Sequence, residues 1–157
     1  MRIIGIDPGT AITGFGLIEA EGQKLKFLDA GVIRTPLTDS MNVRLSTIYD
    51  EVSMLLKECS ADEFAIEQLF FARNVTTAMT VGQARGVVLL AATQAGLPIA
   101  EYTPLQVKQA VTGYGRADKK QIQEMVKKLL RLSDIPKPDD AADGLAIAIT
   151  HASGLRH

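Results

Sequence analysis

Met1-Arg2-Ile3-Ile4-Gly5-Ile6-Asp7-Pro8-Gly9-Thr10 opens the chain with an apolar run that stops at an acid and a Pro-Gly pair. The run predicts a buried strand ending at Asp7, with Pro8-Gly9-Thr10 as the turn after it. Two more extended segments follow, residues 14–18 and 25–34, joined through Glu21-Gly22-Gln23 as a tight connection. Together these three predict an antiparallel meander, with Asp7 standing where the first strand leaves the core.

Working outward, Ser40 is the expected N-cap of a helix reaching about Glu58, with Val43, Leu45, Ile48, Val52 and Leu55-Leu56 on its apolar face. Glu63 to Glu67 reads as a short buried strand that, like the first, ends in an acid. Asn74 is the expected cap of a long helix from Val75 to about Ala95, closed by Gly96 and followed by Pro98. Ile99 to Tyr102 is a fifth strand, and Thr103-Pro104 starts a short helix with Pro at its first position. Asp118 is expected to cap a helix to about Leu132, on which Ile122, Met125, Val126, Leu129 and Leu130 keep the helical period. After the Lys137-Pro138 linker, Asp139 is the expected N-cap of a last helix reaching about Ser153. Three antiparallel strands, then alternating helices and strands, predict a mixed α/β sheet with helices on both faces, in one domain spanning 1–157.

Composition narrows the class. A chain of 157 residues, 46% hydrophobic and 22% charged, has the balance of a globular protein able to bury roughly 70% of its unfolded surface. No uninterrupted run of 18 apolar residues predicts a membrane span, and Asp7 comes too early for a signal-peptide core. A lone Cys59 makes no internal disulfide, so the expectation is a reduced structural thiol in a cytoplasmic protein. Net charge is −1, unevenly spread: residues 1–72 carry 6 basic and 11 acidic side chains, net −5, and residues 73–157 carry 11 and 7, net +4. That asymmetry allows a basic face for nucleic acid without identifying one.

Four carboxylates stand apart. Asp7 by itself would also suit a β-turn. Glu67 sits inside Phe64-Ala65-Ile66-Glu67-Gln68-Leu69-Phe70-Phe71, where a buried carboxylate needs a cation or an ion-pair partner. Asp139, Asp140 and Asp143 cluster at the start of the last helix, where acids complement the dipole. If Asp139 caps, Asp140 and Asp143 remain, three apart on a face continuing into Gly144 and Ile147, and capping does not need an acid a full turn into an apolar helix. Asp7 and Glu67 both lie at carboxyl ends of strands, where ligands of open α/β sheets bind. Converging carboxylates repel unless divalent cations neutralise them, and an all-oxygen ligand set favours Mg²⁺ or Mn²⁺ over zinc. Two such ions about 4 Å apart suit phosphodiester cleavage.

Ile4-Gly5-Ile6-Asp7-Pro8-Gly9-Thr10, Ile66-Glu67-Gln68-Leu69-Phe70, Gly82-Gln83-Ala84-Arg85-Gly86, Gln106-Val107-Lys108-Gln109 and Asp140-Ala141-Ala142-Asp143 together resemble the bacterial RuvC crossover-junction endonuclease family, in order and along essentially the whole chain. The resemblance implies an RNase H-like fold of five strands flanked by helices. It also implies a homodimer that resolves Holliday junctions by paired, symmetric nicks in DNA recombination and repair, alongside a branch-migration complex of a junction-binding protein and a helicase motor. It puts the catalytic, magnesium-holding carboxylates at Asp7, Glu67, Asp140 and Asp143, although some relatives carry histidine at the position of Asp140. Lys119 resembles a family lysine near the scissile phosphate. Its wheel position supports this: it lies beside the arc of Ile122, Val126 and Leu130, away from Lys120, Lys127, Lys128 and Arg131. Lys108, between Leu105 and Val111 on its wheel, is a DNA contact by the same resemblance and a snorkelling lysine otherwise. Phe70 resembles the residue that stacks at the unpaired crossover, and Arg73 is a further DNA contact, with Arg85 and Arg116 as weaker candidates for phosphate. Gly82-x-x-x-Gly86 permits close backbone approach, which the family reading makes part of a dimer interface. His151, two helical turns or roughly 12 Å beyond Asp143, is expected to be structural.

Three rivals share some of these features. An RNA–DNA hybrid hydrolase on the same fold would use similar acids. An actin-type ATPase also places Asp-x-Gly-Thr at a phosphate but needs a second comparable domain. A junction-binding module without activity would not need all four acids.

Overall fold

The computed structural model describes residues 1–69 and 74–155. The elements run β1 (Arg2–Asp7), β2 (Ile12–Glu21), β3 (Lys24–Arg34), α1 (Met41–Cys59), β4 (Glu63–Glu67), α2 (Val75–Gln94), β5 (Ile99–Tyr102), α3 (Pro104–Thr112), α4 (Lys119–Leu129) and α5 (Asp139–Gly154). One five-stranded sheet has the order β3-β2-β1-β4-β5, with β1 antiparallel to β2 and parallel to β4, and β4 parallel to β5. The expected meander, the mixed sheet and the helix order are all present. β2 is longer than expected and pairs Glu21 with Lys24, so Gly22-Gln23 is a two-residue hairpin turn, and Gly22 takes its left-handed φ of 59°.

Alternation along the strands sorts the core into two layers. Ile4, Ile6, Phe64 and Ile66 face one way, onto Ile48, Val52 and Leu56 of α1 and Ala84, Val88 and Ala92 of α2. Ile3 and Ala65 face the other way, onto Val107 and Val111 of α3, Val126 of α4 and Leu145, Ile147 and Ile149 of α5. By the same period of two, Asp7 follows Ile3 and Gly5 onto the α5 face, and Glu67 follows Ala65. α2 is long and apolar enough to cross a membrane by length and composition alone. Here its alanine-rich side instead lies in the core with α1 and the sheet.

Side-chain capping marks the starts of three of the five helices, α2, α3 and α4. The Asn74 side chain accepts from the backbone N–H groups of Thr76 and Thr77, and Thr103 with Gln106 and Asp118 with Gln121 form capping boxes. Two expectations need correction, and one holds by position only. Ser40 is the N-cap of α1 by position but makes no side-chain capping bond. Asp139 is not the N-cap of α5: Pro138 takes that place and Asp139 is the first helical residue. α4 stops at Leu129, short of Leu132, because Arg131 turns left-handed at φ 55°. The Leu132 N–H then bonds the Lys127 carbonyl at 2.9 Å, a Schellman-type ending in which Leu130 and Leu132 keep their apolar contacts.

α5 carries the tightest contacts of the fold. A Cβ on Gly5 would lie 2.2 Å from the Gly144 carbonyl oxygen, on Gly14 1.9 Å from that of Asp140, and on Gly16 2.4 Å from the Leu145 nitrogen. From the helix side, a Cβ on Gly144 would lie 2.6 Å from the Phe15 carbonyl carbon. Backbone meets backbone here, which only glycine allows. At its far end α5 is pinned by buried His151, whose Nδ1 lies 2.6 Å from the Tyr102 hydroxyl and whose Nε2 contacts the Glu63 carboxylate. The structural reading of His151 matches this placement. Cys59 is half-buried and burial pushes its thiol up, as suits an unreactive structural thiol.

Gly14→Ala is expected to destabilise the protein by roughly 1–3 kcal/mol, the usual penalty of overpacking. Urea denaturation measures it, and wild-type stability in this variant would mean that α5 is not seated as described.

Candidate active site

Ile6 of β1 pairs with Ile66 of β4, so Asp7 and Glu67 are the next residues along two neighbouring parallel strands. The first turn of α5 lies over this edge, lowered by the Gly14–Asp140 contact. One carboxylate oxygen from each of Asp7, Asp140 and Asp143 lies within 4.8 Å of the others. The geometry therefore selects Asp140 over its neighbour Asp139, the choice made from the spacing to Asp143. Glu67 is outside this tight trio. With Asp143 it lines a small cavity of about 160 Å³, which Lys108, Lys119 and Ile147 also line.

Electrostatics follow from this crowding. Burial is the largest effect on Asp7, followed by the negative charges of Asp143 and Glu67, and together they push its pKa up to about 8. Asp7 and Asp143 also share a hydrogen bond that favours the proton on Asp7. Asp143 is itself raised, chiefly by burial, although the Lys119 ammonium opposes this. Glu67 is raised by burial and by Asp143, against the pull of Lys108. Acids crowded until one must hold a proton, with no histidine or cysteine in the cluster, fit a hard divalent cation.

Two lysines flank the acids. Lys119, the first residue of α4, puts its Nζ 3.8 Å from Asp143 and 3.7 Å from Asp139. It does reach inward, as its wheel position predicts, and the ion pair with Asp139 is a contact the sequence reading missed. Lys108 is half-buried beside Glu67, so its wheel position reflects a place in the site cavity. Arg116 is exposed on the loop before α4. Arg85, a weaker phosphate candidate from sequence, is engaged internally: its Nη2 lies 2.6 Å from Glu101 and its Nε donates to the Glu67 carbonyl at 3.4 Å. Phe70, Phe71 and Arg73 lie outside the described residues.

An α/β sheet in this order, with acids at the ends of β1 and β4 and on the helix above them, defines an RNase H-like protein. The yeast mitochondrial Holliday junction resolvase Ydc2 shares the fold at a TM-score of 0.68 and 15% identity, over 96% of this chain and 77% of that one. The chain belongs to the RuvC family: the model for crossover junction endodeoxyribonuclease RuvC matches residues 3–151. Crossover junction endodeoxyribonuclease RuvC of Desulfitobacterium hafniense is 62% identical over 155 residues, covering 99% of this chain and 94% of its own. That of Brevibacillus brevis is 59% identical over 152 residues, covering 97% and 92%. The structure of Thermus thermophilus RuvC in complex with a Holliday junction substrate matches at TM-score 0.91 and 37% identity, covering 99% and 96%.

The raised Asp7 gives the site a pH signature. A folded chain that keeps a proton the unfolded chain gives up loses stability as pH rises, here between the ordinary value of 3.8 and about 8. In chelator, the melting temperature should fall across this range, and Asp7→Asn should flatten the fall. Mg²⁺ should restore stability at the alkaline end, since a bound cation stabilises the folded state by mass action. Melting curves independent of both pH and Mg²⁺ would count against a cation at this cluster.

Proposed function

We propose that this protein is a magnesium-dependent endonuclease that resolves Holliday junctions by paired, symmetric nicks in DNA recombination and repair. The observation carrying the proposal is the convergence of Asp7, Asp140 and Asp143 within 4.8 Å in a chain of the RuvC family. These three carboxylates would hold the cation, and Glu67 from the neighbouring strand would complete a ligand set that could serve two ions. When bound, Mg²⁺, or Mn²⁺ in its place, supplies an activated water and neutralises charge on the leaving oxygen. The chain's own residues do the rest. Lys119 and Lys108 attract and orient the scissile phosphate, and Lys119 exchanges its ion pairs with Asp139 and Asp143 for the DNA backbone as the junction binds. Phe70 and Arg73 would engage the junction just beyond β4. The branch-migration complex is the further partner, and the cytoplasm the place of action.

Asp7→Asn and Asp143→Asn should each lower cutting of a synthetic four-way junction by about 10²-fold or more, because a catalytic cation stabilises the transition state by several kcal/mol. Junction binding in a gel-shift assay should persist. Normal cutting by either variant would remove these acids from the centre. The same assay on linear duplex and RNA–DNA hybrid separates the reading from its rival: preferential cutting of the hybrid would make the protein a hybrid hydrolase.

Two symmetric cuts require two active sites, which an isologous dimer supplies. α2 carries a stripe suited to it. Val75, Met79 and Leu90 are at least half exposed, and they share one helix face with Gly82 and Gly86. A Cβ on Gly86 would meet nothing within 4 Å, so the stripe leaves room for a second helix to approach closely. Met79→Asp is expected to yield a monomer by sedimentation and to convert paired cuts into single nicks. A variant still dimeric would move the interface away from α2.

A further inference from the structure

We propose that Arg85 is a positioning residue for Glu67, gripping the end of β4 from the face opposite the metal centre. The proposal rests on the reading of Glu67 as part of that centre. Strand alternation turns the Glu67 carboxylate toward α5 but leaves its backbone accessible from the α2 side, where Arg85 stands. One planar guanidinium serves two elements there: Nε–H donates to the Glu67 carbonyl at 3.4 Å, and Nη2 lies 2.6 Å from the Glu101 carboxylate of β5. From the other edge, the Gln68 N–H donates to the Tyr102 carbonyl at 2.7 Å. The peptide after Glu67 is therefore tied on both sides, at the last residue of a five-residue strand whose carboxylate must meet Asp143.

The Arg85 side chain is only 17% exposed and its charge is already matched by Glu101, so it is poorly placed for a phosphate. A structural ion pair alone would explain Glu101, but not the second bond to the strand end that carries the acid. Partners that orient a metal ligand, without touching the metal, commonly change affinity for it by about 10–100-fold. Lysine cannot reproduce the arrangement, because its single ammonium lacks the rigid fork that reaches a carbonyl and a carboxylate together.

The test is Mn²⁺ binding to the whole protein by calorimetry, alongside junction binding in chelator and thermal melting. R85K should bind Mn²⁺ about 10-fold more weakly than wild type. Its junction affinity and the salt dependence of that affinity should stay unchanged. E101Q keeps the bond to the Glu67 carbonyl and should show a smaller loss. In an E67Q background, R85K should have no further effect on Mn²⁺ affinity. Wild-type Mn²⁺ affinity in R85K overturns the proposal, even with a lowered melting temperature. Should R85K fail to fold, wild-type affinity in E101Q overturns it instead. Weakened junction binding with a shallower salt dependence would make Arg85 a DNA contact and also overturn it. Absence of Mn²⁺ binding by the unmodified protein would instead refute the metal centre itself.

Discussion

The bare backbone contact between α5 and the sheet is the constraint on which the proposed active site depends. Gly5, Gly14 and Gly16 on the strands, with Gly144 on the helix, let two backbones approach to distances no Cβ would tolerate. A helix held off by side chains would ride several ångströms higher, near the usual 10 Å spacing of packed layers. Asp140 and Asp143 could not then reach Asp7. The seam serves stability and chemistry together: the helix that buries Leu145, Ile147 and Ile149 in the core also delivers two of the four acids.

Delivering them works against the fold. Desolvation and mutual repulsion raise Asp7, Asp143 and Glu67 above the ordinary carboxylate range, so the cluster is destabilising in the absence of positive charge. Within the protein, Lys108 and Lys119 offset part of this, one facing Glu67 and the other Asp143. Neither is buried deeply enough to cancel the charge, which leaves the acids suited to the proposed cation. The Glu63–His151–Tyr102 contacts sit at the other end of α5 and hold the helix down where no such repulsion acts.

Much of this was legible in the chain. Strand ends, the Asn74, Thr103 and Asp118 caps and the amphipathic face of α4 follow from local chemistry, so the element order could be written down directly. Boundaries failed where a local rule competed with packing. Arg131 turns left-handed without being glycine because Leu132 gains an apolar contact by it. Pro138 displaces Asp139 from the cap of α5, and Asp139 pairs with Lys119 instead. From sequence Arg85 is a weaker phosphate candidate, since nothing in its neighbours in sequence points to Glu67, 18 residues earlier, or to Glu101, 16 later.

Residue types and their spacing therefore settle which side chains are available to the site: acids at strand ends, Asp140 and Asp143 one turn apart, Lys119 at the start of α4 and Lys108 in the middle of α3. These are short-range properties, set by backbone preference and periodicity. How far apart the acids finally lie, that Glu67 stands beside the trio rather than within it, and which cations are held in ion pairs were decided by the folded chain. Each depends on how closely α5 approaches the sheet and on which face each strand residue presents. Those distances come from packing between segments up to about 140 residues apart, as between Gly5 and Gly144, which no local pattern encodes.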